Sequence, residues 1–412
     1  MVVTSESDIE VRGEGLIALA ASLRLARLGH RVTLVAADPA WRSRARRPLS
    51  GELPPVLEVP AAWRDLFGKS GRNMDAELAR DGFALTEAPP VLHRMEKETL
   101  ALPTERAAQI AAVRTHWSPD VARIWSHLLD RADEAWQARR ALGLEYPVAG
   151  ALRGGDLPRA LAGRHLTDGC DDLPALLRAV VGHLGPVAGG TRAGRGGTPL
   201  LADLAVPRVF GRWQLTRLDD GSATTLQPLL DALDRRLGAR GVEVAAGPPR
   251  RPDLVIDTEP PRRRFGHDRP FLAPTVRLTR SPDTAPGGRR AERGVEHSVD
   301  HTPAGPVLRW SWSEQGQRAT LTHDHTRPVR RPDLGRAIDS TAAWRRRPPL
   351  QWIRDDGAPV LAASPAAHGG PEPWAQLLTG ALAAYLSHER LTGQDVSPHN
   401  RAVGADGRLR RH

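Results

Sequence analysis

The sequence predicts an α/β fold: a three-layer, Rossmann-like domain, discontinuous in the chain, carrying a helical insertion and an antiparallel β-rich insertion. Three observations predict it. Residues 9–35 read as strand, glycine turn, helix, strand; a second α/β unit follows near 226–257; a last strand and helix close the chain near 359–388. Between these units lie a Trp- and Leu-rich helical stretch and a run of alternating residues. One domain interrupted twice explains this order better than three domains in a row. The expected division is 1–103, 205–262 and 350–393 for that domain, 104–204 for the helical insertion, 263–349 for the β-rich insertion, and 394–412 for a polar tail.

The first unit carries the sharpest pattern. Ile9 and Val11 begin a strand, Gly13-Glu14-Gly15 forms a turn, and Leu16, Leu19, Ala20, Leu23 and Ala26 recur at helical spacing. Gly29 ends the helix, and Val32-Thr33-Leu34-Val35 is a second strand. Gly13, Gly15 and Ala18 occupy the GxGxxA positions. Gly13 allows the tight turn, Gly15 lets a pyrophosphate approach the backbone, and Ala18 lets helix and strand pack closely. The motif departs from its usual form in three ways. Glu14 puts a carboxylate in the phosphate turn, Glu10 and Arg12 charge the first strand, and Ala36 follows the second strand where a ribose-binding acid is expected. Asp38 lies two residues late.

The rest follows in order. The loop 39–55 is crowded with Arg42, Arg44, Arg46 and Arg47, and 61–67 reads as a helix. Trp117, Val121, Trp125, Leu128, Leu129, Ala132 and Trp136 share a helical face, which places the three tryptophans in a core. Helical turns follow at 157–162 and 173–184, and the glycine-rich 185–197 reads as a flexible connection. Leu226, Leu229, Leu230, Leu233 and Leu237 line one helix, with strands at 242–244 and 253–257. Thr275–Thr279, Val307–Trp312 and Ala319–Thr322 alternate as half-buried antiparallel strands. A strand at 359–363 and a helix from Trp374 to His388 complete the pattern, and the tail after Gly393 is expected to fray.

Composition excludes several classes. The net charge of +10 is almost all arginine, Lys69 and Lys97 being the lysines, and basic residues are interleaved with acids. No helix-turn-helix, zinc-finger or RNA-binding signature is present, so no nucleic-acid partner is expected. Cys170 is alone, which excludes an intrachain disulfide and fits a reducing interior. With no signal-peptide succession and no apolar run long enough to span a bilayer, a cytoplasmic protein is expected; contact with a membrane surface stays open. His297, His301, His323 and His325 form the one histidine cluster; exposed strands carry such residues outward, and no metal is assigned to them.

These residues resemble the phytoene desaturase and amine oxidase-like branch of FAD-dependent oxidoreductases across most of the chain. Arg42-Ser43-Arg44-Ala45 is similar to the family's GGRA turn, Val56-Leu57-Glu58-Val59-Pro60 to its LTLP segment, and 136–147 to the end of a substrate-capping helix. Phe210-Gly211-Arg212-Trp213, Gly221-Ser222 and Gly241-Val242-Glu243-Val244 resemble its FGxW…GG…GVEV run. The stretch 360–386 resembles the C-terminal flavin motif, with Ala363-Ser364 in place of Gly-Asp, and 245–252 replaces a β-meander.

The resemblance implies an FAD/NAD(P)-binding domain holding FAD through Gly13, Gly15, Ala18, Asp38, Arg44, Gly221, Ser364, Gly369 and Gly370, with Arg42 and Arg46 available to the pyrophosphate. His368 and Trp374 flank the expected flavin ring. It implies an oxidoreductase removing hydride from an apolar, isoprenoid-like substrate. The alternative is a non-catalytic descendant that keeps the fold as a ligand- or partner-binding scaffold, since each lost charge-assisted hydrogen bond weakens FAD by roughly 1.5–3 kcal/mol.

Overall fold

Ten consecutive residues from Leu16 to Leu25 are buried, so the first helix is enclosed on all sides and the domain is built around it. The computed structural model describes residues 6–36, 53–143, 165–190, 197–247, 251–259, 270–282, 294–314, 316–337, 339–346, 350–353, 357–364, 370 and 372–397.

In chain order the elements are β1 (Asp8–Arg12), α1 (Leu16–Arg27), β2 (Arg31–Val35), β3 (Val56–Leu57), α2 (Pro60–Ser70) and α3 (Met74–Arg80). Next come β4 (Phe83–Glu87), β5 (Val91–Met95), β6 (Glu98–Leu102), α4 (Arg106–His116), α5 (Pro119–Gly143), α6 (Ala175–Gly182), α7 (Leu184–Val187), a 3-10 turn (Thr198–Leu201) and α8 (Ala202–Phe210). Then β7 (Trp213–Arg217), β8 (Ala223–Thr224), α9 (Gln227–Ala239), β9 (Glu243–Ala245) and β10 (Leu254–Asp257) follow. The last are β11 (Pro270–Pro282), β12 (Glu296–Thr302), β13 (Gly305–Glu314), β14 (Gln317–Arg336), α10 (Thr341–Arg346), β15 (Gln351–Ile353), β16 (Val360–Ala362) and α11 (Pro373–Thr392).

The Rossmann-like sheet has the order β15-β16-β10-β1-β2-β9, parallel except for β15. Its strands come from three separate stretches of chain, so the domain is discontinuous as predicted. A second sheet runs β11-β14-β13-β12-β5-β6, antiparallel except where β12 meets β5. Thus β5 and β6, which lie within 1–103, hydrogen-bond into the sheet of the β-rich insertion. A small sheet, β3-β7-β4 with β8 on β7, lies between the two in the chain.

Several local expectations change. The stretch 185–197 is not simply a flexible connection: Leu184–Val187 makes a helical turn, and Gly189 and Gly190 lie against Phe271 and Asp339. Apolar Leu184 and Val187 supply contacts that glycine content alone does not show. Trp117 is not part of a continuous helix; it sits between α4 and α5 and donates its Nε1 to Glu98 at 3.0 Å. Trp125 and Trp136 are core residues. The turns read at 157–162 and the tail beyond 397 lie outside the described residues. Among the described residues no helix is long and apolar enough to cross a membrane.

The helices α1, α2, α9 and α11 pack together. Gly380 sets the closest approach: a Cβ there would lie 2.6 Å from the Ile17 carbonyl oxygen and 2.8 Å from the Ala20 Cβ. Both obstacles belong to α1 itself, so neither turns aside as a flexible side chain does. At the other end of this pair, buried Arg24 donates to Tyr385 at 2.8 Å and to Asp65 at 2.5 Å, and His30 meets His388 at 2.9 Å. Gly380→Val is expected to destabilise the fold by about 1–3 kcal/mol through overpacking. Urea unfolding checks this: an unchanged midpoint would show that α1 and α11 tolerate separation.

Candidate functional site

The glycine turn follows β1 at the C-terminal edge of the parallel sheet. Gly13 has φ +117°, and a Cβ on it would fall 2.1 Å from the Thr258 hydroxyl, so no other residue fits. Thr258 follows β10 and is fixed by donating its Oγ1 to the Arg12 carbonyl at 2.6 Å. Gly15 begins α1 with no side-chain cap, and α1 has no acid in its first turn. Its first amides are therefore free to meet an anion. α11 starts at the same edge: its Glu372 N-cap makes no capping bond, and Gln376 lies beside Gly15.

The sequence-predicted residues divide. Gly13, Gly15 and Ala18 meet at this turn, with Ala18 buried. Ser364 follows β16 at the same sheet edge and is buried, and Gly370 precedes α11 with φ +113°. Gly221 lies elsewhere, in the β7–β8 hairpin, where φ +70° and its N–H bond to Arg217 mark a turn role. Asp38, Arg42, Arg44, Arg46, His368 and Gly369 lie outside the described residues.

For FAD the backbone fits and the recognising side chains do not all follow. The glycine turn and the uncapped helix suit a pyrophosphate. Glu14 is exposed in that turn, and buried Ala36 follows β2 where the ribose-binding carboxylate is expected. Glu10, which charges β1, is buried and paired with Arg12 at 2.5 Å.

Beside the start of α11 lies a cavity of about 250 Å³. Its walls are largely apolar. Val91, Leu102, Val299 and Leu308 come from the antiparallel sheet, while Trp125, Leu129, Leu184 and Val206 come from the helices. Trp374, predicted to flank the flavin ring, lines the cavity from α11 of the Rossmann-like domain. It packs edge-on to Trp136 with centroids 6.2 Å apart.

Polar groups gather on part of this wall. Arg139 of α5 binds Asp203 at 2.6 Å and Glu372 at 3.4 Å, and its guanidinium lies over Trp374. Burial raises the pKa of both acids, with Arg139 opposing. Glu58, between β3 and α2, lines the cavity and is itself accessible. Burial raises its pKa too, and Arg212 works against the rise. Arg212 is itself buried and donates to the Pro89 carbonyl and to His297 Nδ1, each at 2.6 Å.

Histidines line the other side. His93 of β5 meets His301 of β12 at 2.9 Å, and His301 meets His183 at 2.8 Å, giving a row of three stacked imidazoles. Burial holds His93 and His301 down near about 3, so both are neutral at pH 7. Of the sequence cluster, His297 and His301 reach the cavity; His323 instead packs edge-on to Trp310, and His325 is buried nearby. Among the described residues no three His, Cys, Asp or Glu side chains converge to hold a metal ion.

Sequence reasoning missed Glu58, His93, His183, Asp203, Arg212 and Glu372 as site residues. One signal was present: Glu58 and Asp203 each interrupt an apolar run, Val-Leu-Glu-Val and Leu-Ala-Asp-Leu-Ala-Val. The histidines carry no such signal, because His93 and His301 are 208 residues apart.

No protein-family profile and no curated protein sequence matches the chain. Solved structures do. An oxidoreductase from Methanosarcina mazei superposes with TM-score 0.54 at 9% identity, covering 91% of this chain and 100% of that one. A putrescine oxidase bound to putrescine gives 0.53 at 13% identity, over 92% and 98%. A RAB GDI from Plasmodium falciparum gives 0.50 at 10% identity, over 95% and 99%. At these identities the likeness establishes the fold, that of FAD-dependent amine oxidases and GDI-like proteins, and leaves activity to the site.

Proposed function

We propose that the protein is a flavin-dependent oxidoreductase acting on a small, largely apolar molecule held in the cavity. The observation that carries this reading is continuity: the cavity is walled by Glu372 and Trp374 at the start of α11, and α11 starts beside the glycine turn. A substrate there lies against the place where the fold offers a cofactor its two helix N-termini. The first-turn amides of α1, with Gly13 and Gly15, would hold the pyrophosphate; Ser364 and Gly370 border the other end. Flavin, when bound, supplies the two-electron acceptor.

The chain's own residues do the rest. Trp125, Leu129, Val206 and Leu308 exclude water and orient an apolar body. The volume of about 250 Å³ lies between the ~150 Å³ that encloses benzene and the roughly 300–1,000 Å³ of drug-sized pockets. This favours a substrate of one or two rings over a long polyene. His93 and His301, both neutral, are joined through His93 Nδ1 and His301 Nε2 and present a polar but uncharged edge to an apolar substrate.

Incubation with excess FAD followed by desalting tests the reading. A retained visible flavin band is expected, with weak affinity, and Glu14→Ala is expected to tighten it about tenfold by removing a carboxylate from the phosphate turn. Failure of both proteins to retain flavin would overturn the proposal. A second outcome follows from the buried histidines. Burial, with His388 nearby, holds His30 down at about 4; burial holds His93 and His301 at about 3 and His325 at about 4, all below the ordinary 6.5. Between pH 6.5 and 4 the unfolded chain binds protons that the folded chain refuses. Stability is therefore full above pH 6.5 and falls as pH drops, by up to about 1.4 kcal/mol per unit for each histidine. Urea midpoints measured from pH 7.5 to 4.5 should fall on the acid side, and less steeply in His301→Gln; a flat profile contradicts neutral burial.

A further inference from the structure

We propose that the cavity binds a carboxylate-bearing ligand, and that Arg212 with His297 is the docking point for its single negative charge. The inference names a ligand class for the cavity and rests on reading that cavity as the substrate site.

Arg212 is anomalous among its peers. Four arginines are buried among the described residues: Arg24, Arg139, Arg212 and Arg236. Three of them hold a carboxylate: Arg24 binds Asp65 at 2.5 Å, Arg139 binds Asp203 at 2.6 Å, and Arg236 binds Glu77 at 2.7 Å. Arg212, only 2% exposed, has no carboxylate within 4.0 Å among the described residues. Its two side-chain bonds go to neutral acceptors, Pro89 and His297; an unbonded nitrogen is common to all four, and the missing carboxylate is what sets Arg212 apart. Burial without an ion pair pushes its pKa down to about 10, an effect that the more distant Glu58 only partly offsets. A buried, unpaired charge is costly unless something completes it.

His297 reinforces the point. A guanidinium only donates, so His297 Nδ1 must accept, and its proton therefore resides on Nε2. That Nε2 is buried and also without a partner. Arg212 and His297 both line the cavity, so a ligand seated there lies against a guanidinium that holds no carboxylate. A planar carboxylate matches a guanidinium fork in shape and charge.

The surrounding charges select against other ligands. Glu58, Asp203 and Glu372 also line the cavity, so a dianion such as a phosphate monoester meets three acids. Asp203 and Glu372 share Arg139, which leaves Arg212 to attract an anion and Glu58 to oppose it. One negative charge on an apolar body is what this wall completes.

Tryptophan fluorescence reads the cavity directly, since Trp125 and Trp374 line it. The full chain is titrated with phenylacetate, its neutral isostere phenylacetamide, and phenethylamine. Phenylacetate is expected to bind about tenfold to a hundredfold more tightly than phenylacetamide. Arg212→Gln should abolish that preference. Glu58→Gln, which keeps Arg212 and removes the nearest competing acid, should tighten phenylacetate several-fold and leave phenylacetamide unchanged; it carries the test if Arg212→Gln does not fold. Equal affinity for acid and amide, preference for phenethylamine, saturation by none of the three, or an unmoved Glu58→Gln each overturns the proposal. No flavin is needed for these titrations. Flavin uptake without carboxylate preference removes the ligand class alone, whereas carboxylate preference without flavin uptake removes the oxidoreductase reading alone.

Discussion

The contact between α1 and α11 is the constraint on which the rest of the structure depends. Gly380 lets the two helices approach until a single added carbon would strike the α1 backbone. Their interface is apolar near the N-termini and pinned by Arg24–Tyr385 and His30–His388 further along. Since both helices begin at the same sheet edge, their uncapped N-termini are held side by side. The partial positive charge of one helix end is thereby doubled at one place, next to the cavity. A loosened interface would separate the helix ends and open the wall formed by Trp374.

The cavity shows how a mostly apolar chamber keeps charge. Arg139 pairs with both Asp203 and Glu372 and lies over the Trp374 ring, so its cost of burial is shared among three neighbours. The histidines avoid the cost altogether by remaining neutral and bonding to one another. Arg212 has neither solution. The same wall thus contains one ion-paired arrangement, one neutral arrangement and one arginine without a carboxylate.

Much of the fold was legible in the sequence because it is written in local periodicity. Gly13-Glu14-Gly15, the helical spacing from Leu16 to Ala26, and Val32–Val35 lie within one short stretch, and each element forms where its pattern places it. The strand alternation of Val307–Trp312 survives in β13, where Trp310 and Trp312 are buried. The cavity was not legible, because its polar residues are assembled from separate elements. His93 meets His301 only because β5 runs parallel to β12 within an otherwise antiparallel sheet, a pairing no local pattern announces. Arg212 was visible within Phe-Gly-Arg-Trp, yet its isolation from acids is a property of space.

The discontinuity of the parallel sheet also shapes how the chain is made. β1 pairs with β10, and β10 pairs with β16, so the centre of the sheet waits for residues near the end of the sequence. At roughly 5–20 residues per second, translation from Asp257 to Val360 takes on the order of 5–20 seconds. Through that interval one edge of Leu254-Val255-Ile256 has no strand to cover it, and such an apolar strand is a template for pairing with another chain. Production of this protein at high yield therefore depends on keeping such partly made chains dilute or on a holdase that shields β10 until β16 emerges.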